Sequence, residues 1–130
     1  MRPYLLFVFV AIFALAGCEQ SPYRDGEALY KAQCANCHMD DGRGLGALMP
    51  PLAGADYLKK ERAQLPCILM FGLADTIVVN GQTYGEKMPG VPTLTAVEIT
   101  NILNYVNNAW GNQNGVFTLE EVRKSLETCK

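Results

Sequence analysis

Cys34-Ala35-Asn36-Cys37-His38 decides the reading of this chain. Two cysteines three positions apart, followed at once by histidine, form the attachment site of a c-type haem. The chemistry requires that spacing. Each thiol adds to one vinyl group on the same edge of the porphyrin, so the two sulfurs must lie about one helical turn apart. The next residue then falls under the iron, where an imidazole nitrogen binds it. His38 is the single histidine of the chain, so no other residue supplies that imidazole. A redox dithiol with the same spacing is expected beside a βαβ pattern, and none is visible. A zinc site needs a fourth ligand, usually from a second paired motif, and no second Cys-x-x-Cys or His-x-x-x-His occurs. The bland alternative is two buried cysteines beside a stray histidine, and the motif in its context outweighs it.

That context begins at the N-terminus. Arg2 gives a short basic start, and Tyr4 to Ala16 is an unbroken apolar run. The run falls short of the roughly 20 residues that span a bilayer. It ends in Leu15-Ala16-Gly17-Cys18, which resembles the lipobox of bacterial lipoproteins. The resemblance implies cleavage before Cys18 and a lipid on Cys18. We therefore expect a signal peptide over 1–17, a lipidated tether over 18–22 and a single domain over 23–130. The expected location is the periplasmic side of a bacterial membrane, held through the lipid anchor, and Glu19 slightly favours the outer membrane. Eleven basic and thirteen acidic residues leave a net charge of −2. Without a basic stripe, nucleic acid is excluded as a partner.

Of five cysteines, one carries the lipid and two carry the haem, which leaves Cys67 and Cys129. Two spare thiols in an exported protein commonly pair. Such a bridge closes a long loop and contributes about 4 kcal/mol in the chain-entropy model.

The local elements are predominantly helical. Tyr23, Gly26, Tyr30, Cys34 and Cys37 recur at helical spacing and predict one helix over 23–37. Gly26 marks the close approach of another helix. Residues 39–55 are glycine- and proline-rich loop. A short helix is expected over 56–64, with Lys59, Lys60, Glu61 and Arg62 as a solvated face. Pro66 opens a further helix on which Cys67, Met70 and Phe71 share an inward face. Ile77-Val78-Val79, Asn80-Gly81 and Gln82-Thr83-Tyr84 read as a hairpin with a two-residue turn, supported by the haem face. Thr95 with Glu98 makes a capping box for a helix reaching Trp110, with Ile99, Ile102, Leu103 and Val106 in its apolar stripe and Gly111 as its stop. Thr118 with Glu121 caps one more helix, whose inner face runs from Leu119 through Val122 and Leu126 to Cys129.

The iron has a second axial position. With one histidine, the candidates are methionine, lysine, water or an external ligand. Met1 leaves with the signal, Met39 adjoins His38 and cannot easily reach the far face, and Met70 reads as core filler. Met49 and Met88 remain. Met88 follows the hairpin, where extended chain can lay a thioether on the haem.

Taken together, these residues resemble a class I cytochrome c, a small monohaem electron carrier. The likeness covers about residues 23–110: the helix with Gly26 and Tyr30, the haem motif, Pro50-Pro51-Leu52-Ala53-Gly54, Tyr84 to Pro89, and a helix carrying Tyr105 and Trp110. It implies an all-α cytochrome c fold, here with a small hairpin and one extra C-terminal helix, in which the terminal helices cross near Gly26 and Tyr105. It selects Met88 over Met49 as the axial ligand. It implies that the Pro50 carbonyl accepts a hydrogen bond from His38 and that Leu52 packs on the haem. Cys67 and the tail beyond Gly111 depart from the minimal family pattern.

The resulting expectation is a single covalent haem c and an electron carrier rather than an enzyme, with redox proteins as donor and acceptor. Two alternatives stand beside it. One is a haem protein with an open iron, acting as a peroxidase or gas binder. The other is a fixed haem subunit of a respiratory complex.

Overall fold

The structure, a computed structural model, describes residues 21–129. The expected signal peptide and the lipid-bearing Cys18 lie outside the described residues. Among the described residues, six α-helices run in chain order: α1 (Arg24–Gln33), α2 (Ala35–His38), α3 (Tyr57–Lys60), α4 (Leu65–Phe71), α5 (Ala96–Asn108) and α6 (Leu119–Glu127). Four short strands lie between α4 and α5: β1 (Gly72–Leu73), β2 (Ile77–Val79), β3 (Gln82–Tyr84) and β4 (Met88–Pro89). They form two separate antiparallel pairs, β1 with β4 and β2 with β3. The expected helical fold with a small hairpin is matched in part: β2 and β3 form the hairpin, and the β1/β4 pair is a second small sheet that was not expected.

The framework is the crossing of α1 and α5. A Cβ at Gly26 would lie 2.1 Å from the Asn101 carbonyl oxygen and 2.9 Å from Cβ of Tyr105. Only a bare Cα lets the two backbones come this close. Tyr30, fully buried, then packs against Tyr105 and Trp110, with ring centroids 5.4 and 5.1 Å away. Such tilted and edge-on pairs are the favoured aromatic geometry. Ile99, Ile102, Leu103 and Val106 of α5 are all buried and carry the core from this crossing to α4 and α6.

Helix starts follow local chemistry. The Thr95 backbone N–H donates to the Glu98 carboxylate at 2.8 Å, and the Glu98 N–H donates back to Thr95 Oγ1 at 3.3 Å. Thr118 and Glu121 repeat the arrangement at α6. The hairpin turn places Asn80 at φ +50° and Gly81 at φ +81°, as a type I′ turn requires. Reciprocal bonds between Asp56 and Asn80, at 3.0 and 2.8 Å, tie that turn to the start of α3.

Five local expectations need correction. The helix over 23–37 breaks at Cys34, where φ is −118°, so the haem motif occupies its own short helix. The segment over 56–64 divides at Glu61 into α3 and a 3-10 turn, Arg62–Gln64. Arg62 does not belong to a solvated face. Its guanidinium stacks 3.7 Å over the Phe117 ring and donates to the carbonyls of Asn114 and Val116. Phe71 is 66 % exposed, because α4 ends there and Gly72 turns the chain at φ +83°. Finally, α5 ends at Asn108 rather than Trp110. Ala109 is extended and Trp110 takes φ +53°, which turns the indole back onto Tyr30.

The tail after α5 is fastened to α4. Cys67 and Cys129 form a disulfide with their Cα atoms 5.6 Å apart, 62 residues distant in sequence. Val122 of α6 is fully buried.

Gly26→Ala is expected to destabilise the fold by about 2–3 kcal/mol, since the new methyl meets backbone that cannot rotate away. Guanidinium unfolding of the haem-loaded protein measures it. A loss below about 0.5 kcal/mol, the range of neutral surface changes, would show that the crossing is looser than described.

Candidate functional site

The site grows from the short helix α2. Cys34 stands at the junction of α1 and α2, with Cys37 one turn on and His38 next. The N–H groups of Cys37 and His38 both donate to the Cys34 carbonyl, at 3.1 and 2.9 Å. That single turn sets the spacing of the two thiols. Met39 then leaves the helix at φ +63°. Two side chains from the α1/α5 framework hold the chain at this reversal. The Tyr30 hydroxyl donates to the Met39 carbonyl at 2.6 Å, and Trp110 Nε1–H donates to the Asp40 carbonyl at 3.1 Å.

The following loop returns to His38. Gly42 lies under the indole, where a Cβ would sit 2.6 Å from Trp110 ring carbons. Its carbonyl accepts the N–H groups of Leu52 and Ala53 at 2.7 and 2.9 Å. The Gly44 N–H donates to the His38 carbonyl at 3.1 Å. Asn112, buried, donates to the carbonyls of Leu52 and Val106 and accepts the Gly54 N–H. These bonds close the loop so that His38 Nδ1–H donates to the Pro50 carbonyl at 3.0 Å. Nε2 is left as the free ring nitrogen. Burial pushes the imidazole below its ordinary pKa, opposed by the Pro50 carbonyl, and so favours the neutral form that a metal ligand requires. Burial, with Cys37 adding, pushes the Cys34 thiol up to about 11.

Two adjoining cavities open beside this imidazole. They share Cys34, His38, Pro50, Leu73, Ile77 and Met88 as walls, so they make one crevice. The inner part is lined almost wholly by apolar side chains, among them Leu52 and the hairpin residue Val79. Cys37 and Met49 border the outer part, where Asp75, Glu86 and Lys87 also lie. Met88 borders both parts and Met49 only the outer one. β4 carries Met88, paired with Leu73 of β1.

A paired thiol motif at the rim, a neutral imidazole with one free nitrogen, a thioether from a separate element and an apolar interior fit a haem c. Among the described residues, no group of three or more His, Cys, Asp or Glu could hold a bare metal ion.

Residues 21–106 match the family described as cytochrome c oxidase, cbb3-type, subunit III. The chain is 40 % identical to one cytochrome c-552 of Thermus thermophilus, across 95 % of this chain and 84 % of the relative. A second Thermus thermophilus cytochrome c-552 is 41 % identical across 77 % of this chain and 82 % of its own length. The chain belongs to the class I c-type cytochromes. This cytochrome carries one covalent haem c and works by haem-based electron transfer. It is also 32 % identical to the cytochrome c subunit of a quinone alcohol dehydrogenase from Gluconacetobacter polyoxogenes, over 79 % of this chain but 22 % of that subunit.

Of the residues singled out from sequence, Cys34, Cys37, His38, Pro50, Leu52 and Met88 gather on this crevice. Cys67 and Cys129 pair away from it, and Cys18 lies outside the described residues. Leu73, Ile77 and Asn112 also build the cytochrome's site and were not singled out for it. The alternation of the hairpin could have pointed to Ile77 and Val79. No local signal marks Asn112, whose partners lie up to 60 residues away.

Tyr30→Phe is expected to leave the haem spectrum unchanged and to lower stability by about 1–2 kcal/mol, because the Met39 carbonyl loses its donor in a dry setting. Guanidinium titration followed by far-UV circular dichroism checks it. An unchanged midpoint would remove Tyr30 from the set of residues that hold the reversal after His38.

Proposed function

We propose that this cytochrome is anchored by lipid on the periplasmic side of a bacterial membrane and carries single electrons between respiratory redox proteins. One observation carries the reading. His38, with Nδ1 committed to Pro50, and Met88, from the β1/β4 pair, border the same apolar crevice. Cys34 and Cys37 would hold haem c through thioether bonds, and His38 Nε2 and the Met88 sulfur would be its axial ligands. Bound haem c supplies a one-electron Fe(III)/Fe(II) couple.

The residues bias that couple. The soft Met88 thioether favours the reduced state over what a harder ligand would allow, and so raises the potential. The apolar walls act in the same direction, since they disfavour the extra positive charge of the oxidised state. The Pro50 carbonyl opposes them mildly by making His38 a more basic ligand. If His38 and Met88 both hold the iron, the chain's own side chains would leave no coordination position for a substrate. That distinguishes a carrier from an enzyme or gas binder.

The anchor rests on the Leu15-Ala16-Gly17-Cys18 segment, and Glu19 favours the outer membrane. Redox proteins as partners are supported by the names of relatives, which include a subunit of a quinone alcohol dehydrogenase. The same names support a second reading, a fixed haem subunit of a membrane complex. The two separate on purification in mild detergent, where constant co-elution with an oxidase or dehydrogenase favours the subunit.

Met88→Ala is expected to abolish the sulfur-to-iron charge-transfer band of the ferric protein and to lower the midpoint potential. Persistence of the band, or rapid carbon monoxide binding by the wild-type ferrous protein, would sink the carrier reading. Cys18→Ser is expected to move the cytochrome from the membrane fraction to the soluble periplasmic fraction with its haem spectrum intact. A variant that stays with the membrane would rule out the lipid as its anchor.

A further inference from the structure

The segment that bears Met88 is seated backbone against backbone. In the β1/β4 pair, Gly72 lies opposite Pro89 and Leu73 opposite Met88. A Cβ at Gly90 would lie 2.5 Å from the Gly72 nitrogen, 2.5 Å from the Phe71 carbonyl carbon and 2.6 Å from the Met70 carbonyl oxygen. The Val91 N–H donates to the Leu69 carbonyl at 2.9 Å. Residues 88–91 therefore rest on the end of α4 with no side chain between. Gly72 needs glycine partly for its φ of +83°. Gly90 is not in the left-handed region, so only space requires glycine there.

We propose that Gly90 is a positioning residue for the axial ligand. Its bare Cα lets residues 88–91 seat on residues 70–72, and that seating sets the reach of the Met88 sulfur. The proposal rests on the reading of Met88 as a ligand. A methyl at position 90 meets main-chain atoms, which have no rotamer to escape into. α4 cannot yield easily, because Leu65 and Ile68 are buried in the core and Cys67 is bonded to the tail. The β4 segment, held by a two-residue pairing, is the part that moves. Metal–ligand distances hold only within about 0.2 Å, so a displacement on the scale of a methyl group removes the sulfur.

The test compares ferric haem-loaded wild type with Gly90→Ala, Gly85→Ala and Met88→Ala. Gly85 lies three residues before Met88, yet a Cβ there meets only Thr76 Oγ1 at 3.7 Å, so Gly85→Ala is the control. Gly90→Ala is expected to keep its far-UV circular dichroism but lose the sulfur-to-iron band. Its potential falls toward that of Met88→Ala. Added imidazole binds it on the order of ten-fold more tightly than wild type, because the internal competitor is gone. Gly85→Ala matches wild type throughout. Gly90→Ala with the wild-type band, potential and imidazole affinity overturns the proposal while leaving Met88 as ligand. A band that survives Met88→Ala overturns the ligand assignment instead, and the proposal with it. Should Gly90→Ala fail to accumulate, native-state hydrogen exchange on wild type decides. The Val91 amide is expected to open in the same sub-global step as band loss in guanidinium. A Val91 amide protected to the global limit while the band is already lost overturns the proposal.

Discussion

The hydrogen bond from His38 Nδ1 to the Pro50 carbonyl, 3.0 Å long, gives the chain's single imidazole one orientation and leaves one nitrogen for iron. Twelve residues separate the two partners, and the intervening loop has little regular structure to hold it. Its closure is imposed from outside. Tyr30 and Trp110 grip the carbonyls of Met39 and Asp40, Gly42 fits beneath the indole, and Asn112 pins Leu52 and Gly54. The α1/α5 crossing at Gly26 is what brings Tyr30 and Trp110 together. The ligand geometry thus depends on packing that never touches the crevice mouth.

The two ligand walls are supported differently. His38 belongs to the α1/α5 framework and its clasped loop. Met88 depends on α4, through the β1/β4 pairing and the bond from Val91 to Leu69. α4 in turn is tied by the disulfide to the chain just after α6, and Arg62 binds the chain between α5 and α6 through Phe117 and two carbonyls. The tail, which lies beyond the minimal pattern of the family, therefore braces the Met88 side of the site. On the proposed ligation, such bracing keeps structural change on electron transfer small.

Much of this was legible in the chain. The haem motif declares its chemistry within five residues, because thioether spacing and iron ligation are set by covalent reach. Both capping boxes and the Asn80-Gly81 turn are local devices, and each occurs where the local signal places it. Some of the readings that failed were decided by distant partners. Arg62 looked like one of four surface charges, and Phe117, 55 positions on, made it a stacked cation. Trp110 fits the helical stripe by spacing, but Tyr30 and Gly42 draw it out of the helix. The pairing of β1 with β4 involves two residues on each strand, too few to leave a periodic pattern.

Sequence by itself determined the cofactor and the elements that begin with a cap or turn, because those follow from covalent chemistry and hydrogen bonds within a few residues. It also put Met88 ahead of Met49 as the expected second ligand. Tertiary structure decided that Met88 borders both parts of the crevice, what orients His38 and what seats Met88. Those outcomes rest on backbones meeting within a side chain's width at Gly26, Gly72 and Gly90, and on the indole lying against the backbone at Gly42. A glycine's one-letter code records freedom of conformation, and only the folded chain shows which backbone comes to lie against it.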